Sequence, residues 1–474
     1  MQNRTKHLLV IITTGIACLL FMSSEELLGG SEQPLKRKYH EQQIAEIDTA
    51  RIIRSTLLQS PDGKILAYIA RTKQTQYAVI QGKSQKEYEG IGTDGIAFSN
   101  DGKRTGYLAR TGENLFAVID GVEYKHYEGL GTNVVFSPNG RRVAYVAIVG
   151  DKQCMVVDGK EQTFYNAIGA SGPVFSRDGK RLAYIANDRG DYFVIVDGKE
   201  QHHYDNMAVQ SLAFSPDGNH IVYIASNHGA VVFVEDGKEQ KFTPSVQTKP
   251  TFSNDSKHLA YVANGDGKSF VVLDDKAGPK FDAVAEQSLV FSPDGKHLAY
   301  IAQVKNQWCV VIDGKGGKLY DNIGEHTFSF SPDNKRNAYV AISGVFRIVV
   351  VDSKEAGRYD VIPEENPIFS PDSKHLAFIE QTKGEWHVVV DKKETKAYKN
   401  IRNGMLSFSP NSKHVAFIAT VGPNMCVVVD NDEGRLFDEI LSFGKGYKMF
   451  DSSSKLHYLA SRGIDVYLID EQIE

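Results

Sequence analysis

Four cysteines in 474 residues leave no disulfide framework to hold this chain together. Cys154, Cys309 and Cys426 each stand four residues before the Asp of a VVD or VID ending. They share one position in units three, seven and ten of the repeat described below. Equivalent positions in non-adjacent units cannot reach the ~6 Å between Cα atoms that a disulfide needs. Buried small apolar side chains are the role that fits them. Charge of one sign is also lacking. Lys plus Arg number 54 and Asp plus Glu 59, with no long single-sign block, which argues against a polyanion-binding protein.

Long apolar runs are nearly absent. The exception is Leu8–Met22, preceded by Arg4 and Lys6. It is shorter than the ~20 residues of a membrane span and matches the core of an export signal. No small-x-small cleavage triplet follows. Cys18 lies in GIAC, but apolar residues continue beyond it, which argues against lipidation. Residues 1–24 therefore read as a signal peptide or membrane anchor and 25–43 as a polar linker. Export to the periplasm is expected, or anchoring with the protein facing outward through that membrane tether. Catalytic motifs are missing too. No GxSxG, HExxH, P-loop, EF-hand or CxxC pattern occurs. No catalytic residue, metal ligand or cofactor is assigned.

What the chain has in abundance is one segment. FSPDGKHLAYIA stands at Phe291–Ala302, and near copies start at Phe98, Phe136, Phe175, Phe214, Phe252, Phe330, Phe369 and Phe408. Worn copies sit at Gln59 and Phe450. Successive anchors are 38 or 39 residues apart, with a last step of 42, giving eleven units over residues 44–474. Such a rhythm marks a repeat architecture.

Within the unit from Leu289, a short strand precedes Ser292-Pro293-Asp294-Gly295, a type I turn signature. HLAYIA is a second strand and Trp308–Ile312 a third. Asp313-Gly314 is a hairpin signal, and Lys318–Asp321 reads as a polar fourth strand. The second and third strands are apolar on both faces, so both faces must be covered. Blades sandwiched in a ring achieve that, whereas a sheet with one wet face would alternate. Turns every 8–12 residues and β-branched content exclude a helical solenoid. Each unit is thus a four-stranded propeller blade. SPDGK followed by (L/V)A(Y/F)(I/V)A resembles the WD-like propeller repeats of TolB-type proteins. The resemblance implies blade type over roughly residues 45–474. It leaves function open, because such blades serve many roles.

The ends complement each other. Ile47-Asp48 reads as an outer strand without a blade, and the last unit stops after DVYLID with no fourth strand. Residues around 44–52 should complete the final blade and leave no open edge. Two fused rings of five and six blades would suit the usual four to eight per ring. The unbroken rhythm and complementary ends favour one wide ring.

Two sets of candidate site residues follow. His258, His297, His375 and His414 share a repeat position with Arg104, Arg142, Arg181 and Arg336. Alternation with Arg argues against metal ligation. They are expected to form a basic rim of solvated turn residues, with an anionic ligand or partner as the functional alternative. Asp188, Arg189, Asp191, Asp266, Glu286, Glu325, His326, Glu364 and Glu365 lie in variable loops expected on the opposite face, where partner specificity would reside. The expected function is a non-catalytic exported propeller, an interaction platform for other envelope proteins and not for nucleic acid. The alternative is a ligand-binding or enzymatic propeller acting on glycan or peptide in its central channel. Oligomeric state is open.

Overall fold

The computed structural model describes residues 35–131, 133–208, 210–241, 245–246, 250–363, 367–442 and 449–474. Eleven antiparallel sheets follow one another along the chain, each one blade. Blade 4 shows the plan. Its inner strand is Ala167–Ile168 plus Val174–Phe175, its second Leu182–Asp188, its third Asp191–Val196 and its outer strand Lys199–Tyr204. Both halves of the inner strand pair with the second strand, Ala167 opposite Asn187 and Phe175 opposite Leu182. Between the halves the chain makes a turn, with Gly172 N donating to the Gly169 carbonyl at 3.0 Å.

The SPDG segment closes by hydrogen bonds from its own side chains, with Asn139 and Asn411 taking the Asp role in blades 3 and 10. In blade 7 the Ser292 hydroxyl donates to Asp294 Oδ1 (2.6 Å) and accepts from His297 N (3.0 Å), while Lys296 N donates to Asp294 Oδ1 (3.2 Å). Gly295 sits at φ 76°, the left-handed region that glycine enters freely. Ser256, Asn334, Ser373 and Ser412 take that place in other blades at φ 62–66°. Their side-chain oxygens accept the Asp amide of the preceding blade's turn, at 2.9 Å for Ser373 and Asp333 N. Successive turns are therefore laced together. The predicted Asp-Gly hairpin is present as well, with Asp313 at φ 49° and Gly314 at φ 76°.

Apolar burial joins the blades. Val146 and Met155 of blade 3 share a cluster with Tyr184, Phe193 and Ile195 of blade 4. The same packing continues to blades 10 and 11, where Ile418 and Val427 meet Tyr458 and Ile469. It then passes from Leu459 and Val466 of blade 11 to Leu66 of blade 1. The eleven blades form one closed ring rather than two. A fully buried aromatic or branched side chain contributes about 1.5–3 kcal/mol, so each seam carries several such increments.

The N-terminus supplies the last blade's outer strand, but from different residues than expected. Arg37–Glu46 pairs antiparallel with Asp465–Ile473, from Arg37 opposite Ile473 to Glu46 opposite Asp465. Residues 37–43, read as linker, are strand. Their inward face carries Arg37, Tyr39 and Glu41 instead of aliphatics, so hydrophobic periodicity does not reveal it. The outer strand of blade 7 also differs from the expected Lys318–Asp321. Its ladder is Lys315–Gly316, and Tyr320 adds an isolated bridge to Trp308. Asn322–Ile323 already belongs to the inner strand of blade 8.

Candidate functional site: two faces and an interrupted inner wall

On the SPDG side the basic residues are occupied by the fold. Arg181 Nε bonds Asp197 Oδ2 at 2.9 Å, and its Nη1 donates to the Gly218 and Asn219 carbonyls of the next blade at 2.9 and 3.1 Å. Its guanidinium lies 5.0 Å from the Phe214 ring centroid, also on the next blade. Arg104, Arg142 and Arg336 repeat this arrangement over Phe136, Phe175 and Phe369. His258 and His297 place Nδ1 2.6 and 2.7 Å from Asp274 and Asp313, and His375 and His414 face Asp391 and Asp430 at 2.5 Å. The other oxygen of each Asp accepts the first amide of the second strand, such as Leu298 N on Asp313 at 3.1 Å. One carboxylate thus fastens two turns, and at the four Arg positions the guanidinium beside it also fastens the neighbouring blade. The lysines project further: Lys180 lies 3.2 Å from Asp178 with its side chain 82% exposed. Exposed pairs of that kind contribute little.

The opposite face is built from hairpins joining second and third strands. Here the acidic residue after the recurrent Tyr has a fixed task. Asp321 Oδ2 accepts Gly344 N at 2.8 Å, and Asp360 Oδ2 accepts Lys383 N at 2.9 Å. Each caps the hairpin of its own blade. The hairpin tips differ from blade to blade. Asp188–Asp191 forms one, with Arg189 at φ 53° and Gly190 at φ 97°. Asp188 accepts Lys152 of blade 3 at 3.1 Å, and that hydrogen bond holds its carboxyl below the ordinary value. Asp191 lies 3.6 Å from His203. Asp266 is another tip, paired with Lys280 at 2.7 Å.

Glu286, Glu325 and His326 are not in these hairpins. They occupy the turns that interrupt the inner strands of blades 7 and 8, halfway along the wall that faces the axis. The inner segments of neighbouring blades approach each other, as Val174–Phe175 and Ala213–Phe214 do, which puts these turns nearest the central channel. In blade 7 the Ser288 hydroxyl accepts Ile301 N at 3.0 Å, taking the place of a ladder carbonyl while the tip projects. Glu364 and Glu365 lie outside the described residues. Trp308 packs in the seam with blade 8.

Two buried charged groups escaped the sequence reading. Arg37 on the closing strand bonds Glu471, whose side chain is 0% exposed, and donates to the Asp432 and Val427 carbonyls of blade 10 at 2.8 and 3.0 Å. Tyr458 donates to Glu471 at 3.3 Å. In blade 9, Glu380 is wholly buried, accepting from Thr382 Oγ1 at 2.6 Å and lying 2.9 Å from His387 Nδ1. Burial pushes its carboxyl above the ordinary value. A column-by-column comparison of the eleven units finds this pair. The Glu380 position is alanine in the other ten, from Ala70 to Ala460. Among the described residues no group of three or more His, Cys, Asp or Glu side chains could hold a metal ion.

The fold defines a single eleven-bladed β-propeller with the N-terminal strand closing its last blade. No family model matches the chain, and no curated protein matches it significantly. Solved structures similar to it include a eukaryotic initiation factor, at 15% identity and a TM-score of 0.39, covering 71% of this chain and 96% of that one. TolB from Acinetobacter baumannii is similar at 14% identity and a TM-score of 0.26, covering 53% and 78%. An oligogalacturonate lyase from Vibrio parahaemolyticus is similar at 11% and 0.29, covering 63% and 96%. Likeness at these values carries no argument about function. The propeller stands on its own strand order, and the TolB-type resemblance does not extend to a demonstrated family.

Proposed function

We propose that this propeller is a non-catalytic interaction platform, exported and working in the cell envelope beside other envelope proteins. The observation that carries the reading is a division of labour between the two faces. On the SPDG side the recurring Arg, His and Asp residues are spent on intra-blade and inter-blade bonds. On the hairpin side a constant frame holds tips that change in every blade, from Asp188–Asp191 to Val345-Phe346. Constant scaffolding under variable exposed loops is the arrangement that binding specificity uses. Export rests on Leu8–Met22 behind Arg4 and Lys6.

Site-specific photo-crosslinking in envelope extracts tests the platform. A crosslinker at hairpin tips such as Arg189 should capture discrete adducts, and one at Lys180 or Lys296 should not. Equal capture from both faces refutes the reading. A reporter fused after residue 43 tests export separately: retention inside the cell removes the envelope assignment.

A further inference from the structure

Ten of the eleven blades hold alanine at one position of the second strand, and the seam between blades 8 and 9 departs from this and at further positions. The Ala column holds Glu380, and the apolar column opposite holds His387 in place of residues such as Phe193, Cys309 and Ile348. On the blade 8 side, Ala356-Gly357 stands where blade 3 has Gln162-Thr163 and blade 4 Gln201-His202. Gly357 is needed there because a Cβ would collide with the Tyr359 hydroxyl.

The hairpin end of the same seam departs as well. Val345 is 77% exposed and Phe346 42% exposed, and no other hairpin tip among the described residues carries two exposed large apolar side chains. By register Phe346 takes the place of Lys152 and Lys268. Those ammonium groups cross to Asp188 and Asp282 of the next blade. Blades 3 and 6 alone carry a lysine there, and blade 8 alone carries an aromatic ring. Asp321 and Asp360 keep their capping roles, but neither they nor Glu385 has an ion-pair partner among the described residues. Lys383 on the blade 9 tip is a cation at this mouth.

We propose that this mouth is a docking site for a partner protein segment that presents an apolar side chain flanked by lysine or arginine. The apolar centre would cover Val345 and Phe346, and the flanking cations would meet the carboxylates left without counter-ions. Asp321, Asp360 and Glu385 outnumber the cations Arg347 and Lys383 here, and exposed apolar anchors beside a net acidic rim favour that partner over an acidic one. The inference rests on the interaction-platform reading and assigns it one location and one partner chemistry.

The test is fluorescence anisotropy with a short labelled peptide of Leu-Phe-Leu flanked by lysines, and the same centre flanked by glutamates. Val345→Asp/Phe346→Lys gives blade 8 the Gly-Asp-Lys tip of blade 3, at exposed positions where folding is preserved. Ile464→Asp on the blade 11 tip is the control. The lysine-flanked peptide should bind the parent and the control and bind the double variant roughly tenfold more weakly, as loss of a central anchor requires. The glutamate-flanked peptide should bind none of them. Absence of binding, equal binding to parent and double variant, or indifference to flanking charge overturns the proposal. So does a self-association of the parent that the double variant abolishes, because the occupant is then a second copy. If crosslinked partners map to other hairpins and ignore this substitution, the site is wrong and the platform stands.

Discussion

Restoring the repeat at blade 9 should reveal what its buried pair costs. Glu380 is 0% exposed, and its carboxylate has one imidazole and one hydroxyl as partners. His387→Phe leaves that carboxylate facing Thr382 alone. Removing one member of a buried charged pair costs about 3–5 kcal/mol. Glu380→Ala alone leaves the His387 Nδ1 without its acceptor, at about 1–3 kcal/mol. The double variant recreates the Ala opposite Phe of blade 4, so it should be neutral or stabilised by up to about 4 kcal/mol. The two single effects must therefore fail to add, with a coupling of roughly 4 kcal/mol or more. Acid should relieve the His387→Phe defect. Burial raises the Glu380 carboxyl, so the folded chain holds that proton more tightly than the unfolded chain. Its contribution favours folding in acid and is lost as pH rises through the folded pKa. The defect should be largest near neutrality and shrink as pH falls. Trp308 and Trp386 are the only two tryptophans, and Trp386 packs on the other face of blade 9, against blade 10, so denaturant unfolding followed by fluorescence reads the unfolding of blade 9. Additive single effects, or a His387→Phe defect that does not shrink in acid, would refute the reasoning.

Deleting residues 35–46 should open blade 11, with size-exclusion chromatography showing larger, heterogeneous species as an unpaired strand edge is exposed; a monodisperse and equally stable product contradicts the closure. Arg462 and then Arg435 lower the Glu41 carboxyl from 4.5 to about 2. The folded carboxyl is depressed, so its contribution is present above 4.5 and fades as pH falls toward 2, and limited proteolysis should release the closing strand over that window. Burial raises the Cys154 and Cys426 thiols to about 11, so a bulky thiol reagent should modify neither in the native protein and both after unfolding. Arg181→Ala removes an ion pair, two carbonyl contacts and a ring contact across one seam, and calorimetry should show a loss of roughly 1–2 kcal/mol.

Blade count, strand order and closure are legible in this chain because the repeat states them eleven times. A residue that recurs, such as Asp313 or His297, is identified as structural by recurrence alone. The inner turns were harder to place. Glu286 and Glu325 follow two-residue inner segments, Ala283–Val284 and Asn322–Ile323, too short to show a strand period. Arg37 and Glu471 stayed hidden because a buried ion pair spanning 434 residues leaves no local pattern. Glu380 was visible in principle, since a carboxylate in an alanine column needs no structure to be noticed. Its burial needed the seam.

The closing strand also sets an order of events during synthesis. Arg37–Glu46 is made before blade 1, and its partner Asp465–Ile473 only with blade 11. Ten blades can stack before the eleventh exists, while the first strand waits without its partner. Loop closure over that separation is slow compared with local hairpin formation. The nascent chain therefore carries an unpaired edge until Asp465–Ile473 has been made, and sealing of the ring reports that all eleven blades are present.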